Sequence, residues 1–449
     1  MKNLNIAFCS FPDFSSNAKA LYDYMKKVYN NDMNLIWAVN TDQALLNLRE
    51  QNVEAYKIGT DDYFEKMKDI DVFFTTHANI TGEKNEHSLY IELWHGIGPK
   101  KSGFLSDNIS DEDAWWYGNI RKKIDYYIVP SDFWRSIFST MFNVKFSRVL
   151  PLGYPKFDNF LNNNSKNFLE KILNIKIENY NKVIYYMPTF RLGCDRKQES
   201  KININNIFNI KEYDEKILTN FLEKNKILLC IKKHPSESLS INFKETNNIR
   251  VIKENQLSEN NITINDILNA AELMITDYSS LGVEYTFLRK PVVYLNNDIE
   301  EYKKNRGIIF DDIDFWMPGY QANNIETLIK SIENIFSSSY SIEGTKLDEM
   351  RKLWFGNLQD GGCKQICDYI FDGNQISKNV NYYHDIEDVL ENKIKLQENE
   401  IEERGKIIDA RNARIRELDQ FISNIINSKG WKILEKIRKI IYKKNNEKK

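Results

Sequence analysis

The chain has 449 residues, 42% of them hydrophobic and 28% charged, with a formal net charge of −2. That balance suits a soluble globular protein of about two domains and gives no global attraction to nucleic acid. No stretch approaches the ~18 continuous apolar residues of a membrane span, and five scattered cysteines, an odd number, argue against a disulfide framework.

The N-terminus runs straight into an apolar segment at 4–8, too short for a signal peptide, so a cytoplasmic location is expected. Further apolar runs at 34–39, 53–58, 72–76, 88–93 and 126–129 read as strands, with helices at 18–28 and 43–49 between them. Strands alternating with helices predict a parallel sheet covered on both faces. An Asn- and Lys-rich stretch at 162–181 interrupts the pattern. It then repeats, with strands expected at 183–187, 227–232, 249–252, 273–276 and 291–294. The expected fold class is α/β, with two domains, 1–155 and 156–375, facing each other across a cleft.

Beyond a polar loop at 373–381, a charged, proline-free extension at 382–427 reads as helix. Ile394, Ile401, Ile408, Ile415 and Ile422 keep a strict seven-residue spacing. The position three later holds Gln397, Arg404, Arg411, Leu418 and Ile425. One apolar seam supports a weak coiled coil, through which copies of the chain could pair, or a helix packed on something else, the alternative being a long solvated helix. The tail, 428–449, carries Trp431, Leu434, Ile437 and Ile441 at helical spacing. Lys429, Lys432, Lys436, Lys439 and Lys443 lie mostly off that stripe. Such a basic amphipathic helix suits a membrane surface, the alternative being a helix docked on the protein itself.

Two of the five histidines follow strands in matching places. His95 lies in Trp94-His95-Gly96-Ile97-Gly98-Pro99-Lys100-Lys101, and His234 ends the run 227–234. In parallel sheets, ligands bind at the carboxyl ends of the strands. A third motif, 273–285, reads as strand, turn and helix start, where Asp277 or Ser279 can cap the helix and Ser279 and Ser280 can donate to a phosphate. A fourth places Arg191 just past the strand at 183–187, suited to a forked phosphate contact. Each feature alone has a structural reading: a core histidine, a capped helix, a surface ion pair. The set, at the ends of strands facing one cleft, points to a site. Cys363 and Cys367 are four apart but lack a second ligand pair, so no metal site is expected there.

These blocks, with Asn17-Ala18-Lys19-Ala20-Leu21, Gly153-Tyr154-Pro155-Lys156-Phe157-Asp158, Pro188-Thr189-Phe190-Arg191, His234-Pro235, Thr276-Asp277-Tyr278-Ser279-Ser280, Tyr302 and Arg306-Gly307, resemble the CDP-glycerol glycerophosphotransferases of the teichoic-acid polymerase and primase type. The resemblance covers roughly residues 1–372. The chain departs from it at Ile97-Gly98, where the family has threonine and proline, at 283–285, where it often has Phe-Asp, and at Ile366, where it commonly has arginine.

The resemblance implies a GT-B architecture of two Rossmann-like domains, with the donor on the second and the acceptor approaching from the first. It implies His95 and His234 as catalytic residues, with His95 the general base. Arg191, Lys233, Asp277, Ser279, Ser280 and Arg306 are expected on the donor phosphates, and Gly96, Lys100 and Lys101 on the acceptor side. No tightly bound cofactor is expected, though a divalent metal could arrive with the donor. The implied partners are a CDP-activated donor and a lipid-linked or polymeric acceptor at the inner membrane face. A different nucleotide-sugar transferase and a non-catalytic scaffold of polysaccharide assembly are the alternatives.

Overall fold

Short runs of β-branched and aromatic residues, buried on both faces, build two parallel sheets. In this computed structural model, residues 4–29, 32–78, 88–107, 109–161, 163–189, 206–234, 244–337, 340–356, 361–372 and 382–446 are described. They divide into two units, Met1–Gly373 and Asn374–Lys449.

The first sheet holds β1 (Leu4–Cys9), β2 (Met33–Val39), β3 (Glu54–Lys57), β4 (Val72–Thr75), β5 (Leu89–Glu92), β6 (Tyr126–Ile128) and β7 (Val149–Leu150), in the order β3-β2-β1-β4-β5-β6-β7. The second holds β8 (Lys182–Tyr186), β9 (Ile227–Ile231), β10 (Ile249–Val251), β11 (Leu273–Thr276), β12 (Val292–Tyr294) and β13 (Tyr320–Gln321), in the order β10-β9-β8-β11-β12-β13. The described pairings are all parallel. Strand order reverses between β1 and β4 in one sheet and between β8 and β11 in the other, and ligands bind beside such reversals. The expected strands form with small shifts at their ends. The two-residue β7 and β13 carry too little apolar sequence to announce themselves.

Each sheet has its own core. In the first, Phe8 packs against Tyr22, Trp37 and Phe74 with ring centroids within 5.8 Å. In the second, Ile184, Leu229, Ile275 and Leu328 belong to one buried cluster. Burying each such side chain contributes about 1.5–3 kcal/mol.

After β13 the chain returns to the first sheet. Helix Lys346–Phe355 ends against helix Asp132–Phe142, where Ser131 Oγ and Trp134 Nε1 donate to the Trp354 carbonyl at 3.0 and 2.9 Å. Helix Gly362–Cys367 starts on Asp158, whose carboxylate accepts from the N–H groups of Gly362 and Cys363 at 2.9 and 3.1 Å. Asp158 therefore has a structural task, tying the end of this unit to the segment that follows β7.

The second unit comprises helices Tyr382–Asn427 and Lys429–Asn446. On the first, Ile401, Ile408, Ile415, Leu418, Ile422 and Ile425 are exposed; on the second, Trp431, Leu434 and Ile437 are. The side chains of Ile394, Gln397, Ile441 and Lys443 lie outside the described residues. Among the described residues, no helix is long and apolar enough to cross a membrane.

Candidate active site

Glu92, the last residue of β5, is fully buried and organises the exits of two neighbouring strands. Its carboxylate accepts from Ala78 N–H at 2.6 Å and from Trp94 N–H at 2.7 Å. Both residues are left-handed, with φ of 47° and 52°. Burial pushes the Glu92 pKa well above the usual carboxylate range, and the two N–H bonds work against that shift. Asn17 holds the same turn from the other side. Its amide donates to the Leu93 and Trp94 carbonyls at 3.0 and 2.8 Å, and its oxygen accepts from Lys156 N–H at 3.1 Å.

These contacts set His77, after β4, face to face with His95, after β5. Their rings lie 4.1 Å apart and 10° from parallel. His95 Nδ1 lies 3.2 Å from the Thr76 carbonyl, and Thr76 Oγ1 lies 2.9 Å from His77 Nδ1. A carbonyl only accepts, so His95 carries its proton on Nδ1 and offers Nε2 as a base. The residue is exposed at the surface while its ring packs against those of His77 and Trp94, with centroids 4.1 and 4.3 Å away. Desolvation first, then His77, Lys156 and His234, hold its pKa below the ordinary value. Burial and Lys156 bring His77 down to about 4.

The loop after His95 crosses to the second sheet. Lys156 Nζ donates to the His95 carbonyl at 2.7 Å and pairs with Glu284, which also accepts from Ile97 N–H at 3.2 Å. A Cβ on Gly96 would lie 2.9 Å from Ser280 Oγ, and one on Gly98 would lie 3.0 Å from Ser280 Cα. Further on, Ile309 N–H donates to the Pro99 carbonyl at 2.8 Å, and Lys101 N–H to the Gly307 carbonyl at 3.3 Å.

On the second sheet, β8 and β11 flank the reversal. Asp277, after β11, accepts from Thr189 N–H and Oγ1 at 2.8 and 3.1 Å, so this carboxylate positions the turn after β8. Ser279 Oγ accepts from Leu281 N–H and caps helix Ser280–Tyr285, which leaves Ser280 as the serine against Gly96. His234 follows β9. Burial, Lys100 and Lys232 lower its pKa to about 4.

The structure thus brings His95, Gly96 and Ser280 together, with His234 close enough to shift His95. Lys100 Nζ lies 5.8 Å from the Tyr302 ring, and Lys101 Nζ is held 2.7 Å from Asp107. Lys233 contributes its carbonyl to Lys232 Nζ at 3.0 Å. Arg306 ends helix Ile299–Arg306 and is felt by Tyr117 of the first sheet's side. Arg191 lies outside the described residues. Among the described residues, no cluster of three or more His, Cys, Asp or Glu could hold a metal ion.

Sequence reasoning missed His77, Glu92, Lys156 and Glu284 as parts of this site. His77 carried a usable signal, because it too directly follows an apolar run.

The family model for CDP-glycerol:poly(glycerophosphate) glycerophosphotransferase matches residues 1–372. The chain is 27% identical over 341 residues to the teichoic acid glycerol-phosphate primase of Bacillus subtilis (strain 168), covering 73% of this chain and 83% of that one. It is 25% identical over 385 residues to the teichoic acid glycerol-phosphate transferase of Staphylococcus aureus (strain NCTC 8325 / PS 47), covering 82% and 93%. The fold is similar to that of the wall teichoic acid polymerase TagF, with a TM-score of 0.65 at 21% identity over 84% of this chain and 90% of that one.

Proposed function

The chain belongs to the CDP-glycerol:poly(glycerophosphate) glycerophosphotransferase family, and from that premise we propose that it transfers glycerol phosphate from CDP-glycerol to a lipid-linked or polymeric acceptor in cell-surface polymer synthesis. An acceptor hydroxyl attacks the β-phosphorus of the donor. The bond from that phosphorus to the bridging oxygen breaks, and CMP leaves with the oxygen.

One observation carries this reading: His95 and His234 leave the carboxyl ends of strands in two different sheets yet are near enough for His234 to act on His95, and Gly96, next to His95, packs against Ser280 of the second sheet. Neutral His95, with its proton on Nδ1, takes the hydroxyl proton on Nε2. His234, Ser280 and Arg191 hold the diphosphate, and the donor's negative charge works against the burial, and the smaller effect of Lys100 and Lys232, that otherwise keep His234 neutral. Lys100 and Arg306 add positive charge at the cleft. A donor panel tests the reading. CMP release from CDP-glycerol, with no turnover of UDP-sugars, supports it; turnover of a UDP-sugar in place of CDP-glycerol contradicts it.

Helix Lys429–Asn446 suits an anionic membrane surface, where Trp431, Leu434 and Ile437 enter the interface while Lys429, Lys432 and Lys436 meet headgroup phosphates. The enzyme would then work as a peripheral protein on the inner face of the membrane, where lipid-linked acceptors are held. The isoleucine seam of Tyr382–Asn427 suits pairing with a second copy.

A further inference from the structure

We propose that His77 is a positioning residue for His95, packing face to face on its imidazole and, together with Thr76 and Glu92, fixing the orientation in which Nε2 can take a proton. The inference rests on His95 being the general base, as proposed above.

Three independent features of the geometry support it. First, the rings are stacked at 4.1 Å and 10°, although His77 and His95 leave different strands. Second, one residue, Thr76, serves both imidazoles, offering its carbonyl to His95 Nδ1 and its hydroxyl to His77 Nδ1. Third, the residue after His77 and the residue before His95 are both left-handed, and Glu92 accepts the N–H of each. A left-handed alanine and tryptophan cost conformational energy, and such outliers persist where surrounding contacts impose them for function. Ala78 and Trp94 thus flank the histidine stack in conformations that Glu92 holds. Phe11 also meets His77, its ring edge-on at 5.7 Å.

A wall of this kind limits rotation of His95 and shields one face from water. Among the described residues, the charged and titratable groups acting on the stack include Glu92, Lys156 and His234. None of them replaces the flat contact that His77 makes.

The test is steady-state CMP release from CDP-glycerol by the full chain with a lipid-linked acceptor extract, across pH, for wild type, His77→Ala, His77→Phe, His77→Leu and His95→Ala. His77→Ala should lower kcat about 10-fold or more with KM for CDP-glycerol within about twofold, since misplacing a base affects the transition state most. Its acidic limb should move to higher pH, because water reaches the uncovered face of His95. His77→Phe keeps a flat ring and should return kcat to within about threefold of wild type and restore the limb. His77→Leu keeps bulk without the ring and should stay slow, which separates positioning from folding if His77→Ala is unstable. Wild-type kcat and pH profile in His77→Ala or His77→Leu would overturn the inference, as would a His77→Phe variant no faster than His77→Ala. Retained activity in His95→Ala would instead defeat the base assignment itself.

Discussion

Lys156 Nζ lies 2.7 Å from both carboxylate oxygens of Glu284, and the two buried side chains join positions 128 residues apart. Lys156 follows the first sheet and Glu284 lies on the helix after β11. The same ammonium donates to the His95 carbonyl, so the ion pair is also the floor beneath the base. Burial favours the neutral form of each partner, and the opposite charge of the other works against it.

Removing one partner strands a buried charge. Lys156→Met should destabilise the protein by about 3–5 kcal/mol in urea unfolding, whereas Lys156→Met with Glu284→Leu should recover much of that loss. A single variant as stable as wild type would contradict the account.

The two glycines after His95 should differ in tolerance. A Cβ at Gly96 meets a serine hydroxyl, which can rotate away; at Gly98 it meets the Ser280 backbone, which cannot. Gly98→Ala should therefore cost more in kcat/KM than Gly96→Ala, by about 10-fold if the loop shifts by an ångström. Equal losses, or a larger loss in Gly96→Ala, would contradict this.

Much of the fold is legible in the sequence because central parallel strands are buried on both faces and read as continuous apolar runs. The exits of β5, β9 and β11 could be located for the same reason, and with them His95, His234 and Ser280. What could not be read is the partnership of residues distant in sequence. Nothing local pairs Lys156 with Glu284, or marks Glu92 as an acceptor for two backbone N–H groups rather than a surface carboxylate. Asp277 reads as a helix cap or phosphate neighbour in sequence, yet its carboxylate holds Thr189 across the strand reversal. His77 escaped notice because no glycine or lysine cluster follows it.

Stability should depend on pH in a stated direction. His77 and His234 have pKa values lowered from 6.5 to about 4, so between those values the unfolded chain binds more protons than the folded one. Their contribution is complete above about pH 6.5 and is lost as pH falls toward about 4. The urea midpoint should drop over that range, and His234→Gln should drop less steeply. An equally steep fall in that variant would contradict the assignment.

The tail should bind anionic bilayers. Replacing Trp431, Leu434 and Ile437 with serine should reduce co-sedimentation with phosphatidylglycerol vesicles about 10-fold or more, because each removes buried apolar area at the interface. CMP release with a short water-soluble acceptor should persist. Unchanged vesicle binding would argue for a helix docked elsewhere.

His95 and His234 are expected to carry glycerol-phosphate transfer together. The most direct test measures CMP release from CDP-glycerol with a lipid-linked acceptor for wild type, His95→Ala and His234→Ala, each first shown to be folded. Wild type should release CMP, and each variant should lose about 100-fold or more of that rate. Release at the wild-type rate by either folded variant would contradict it.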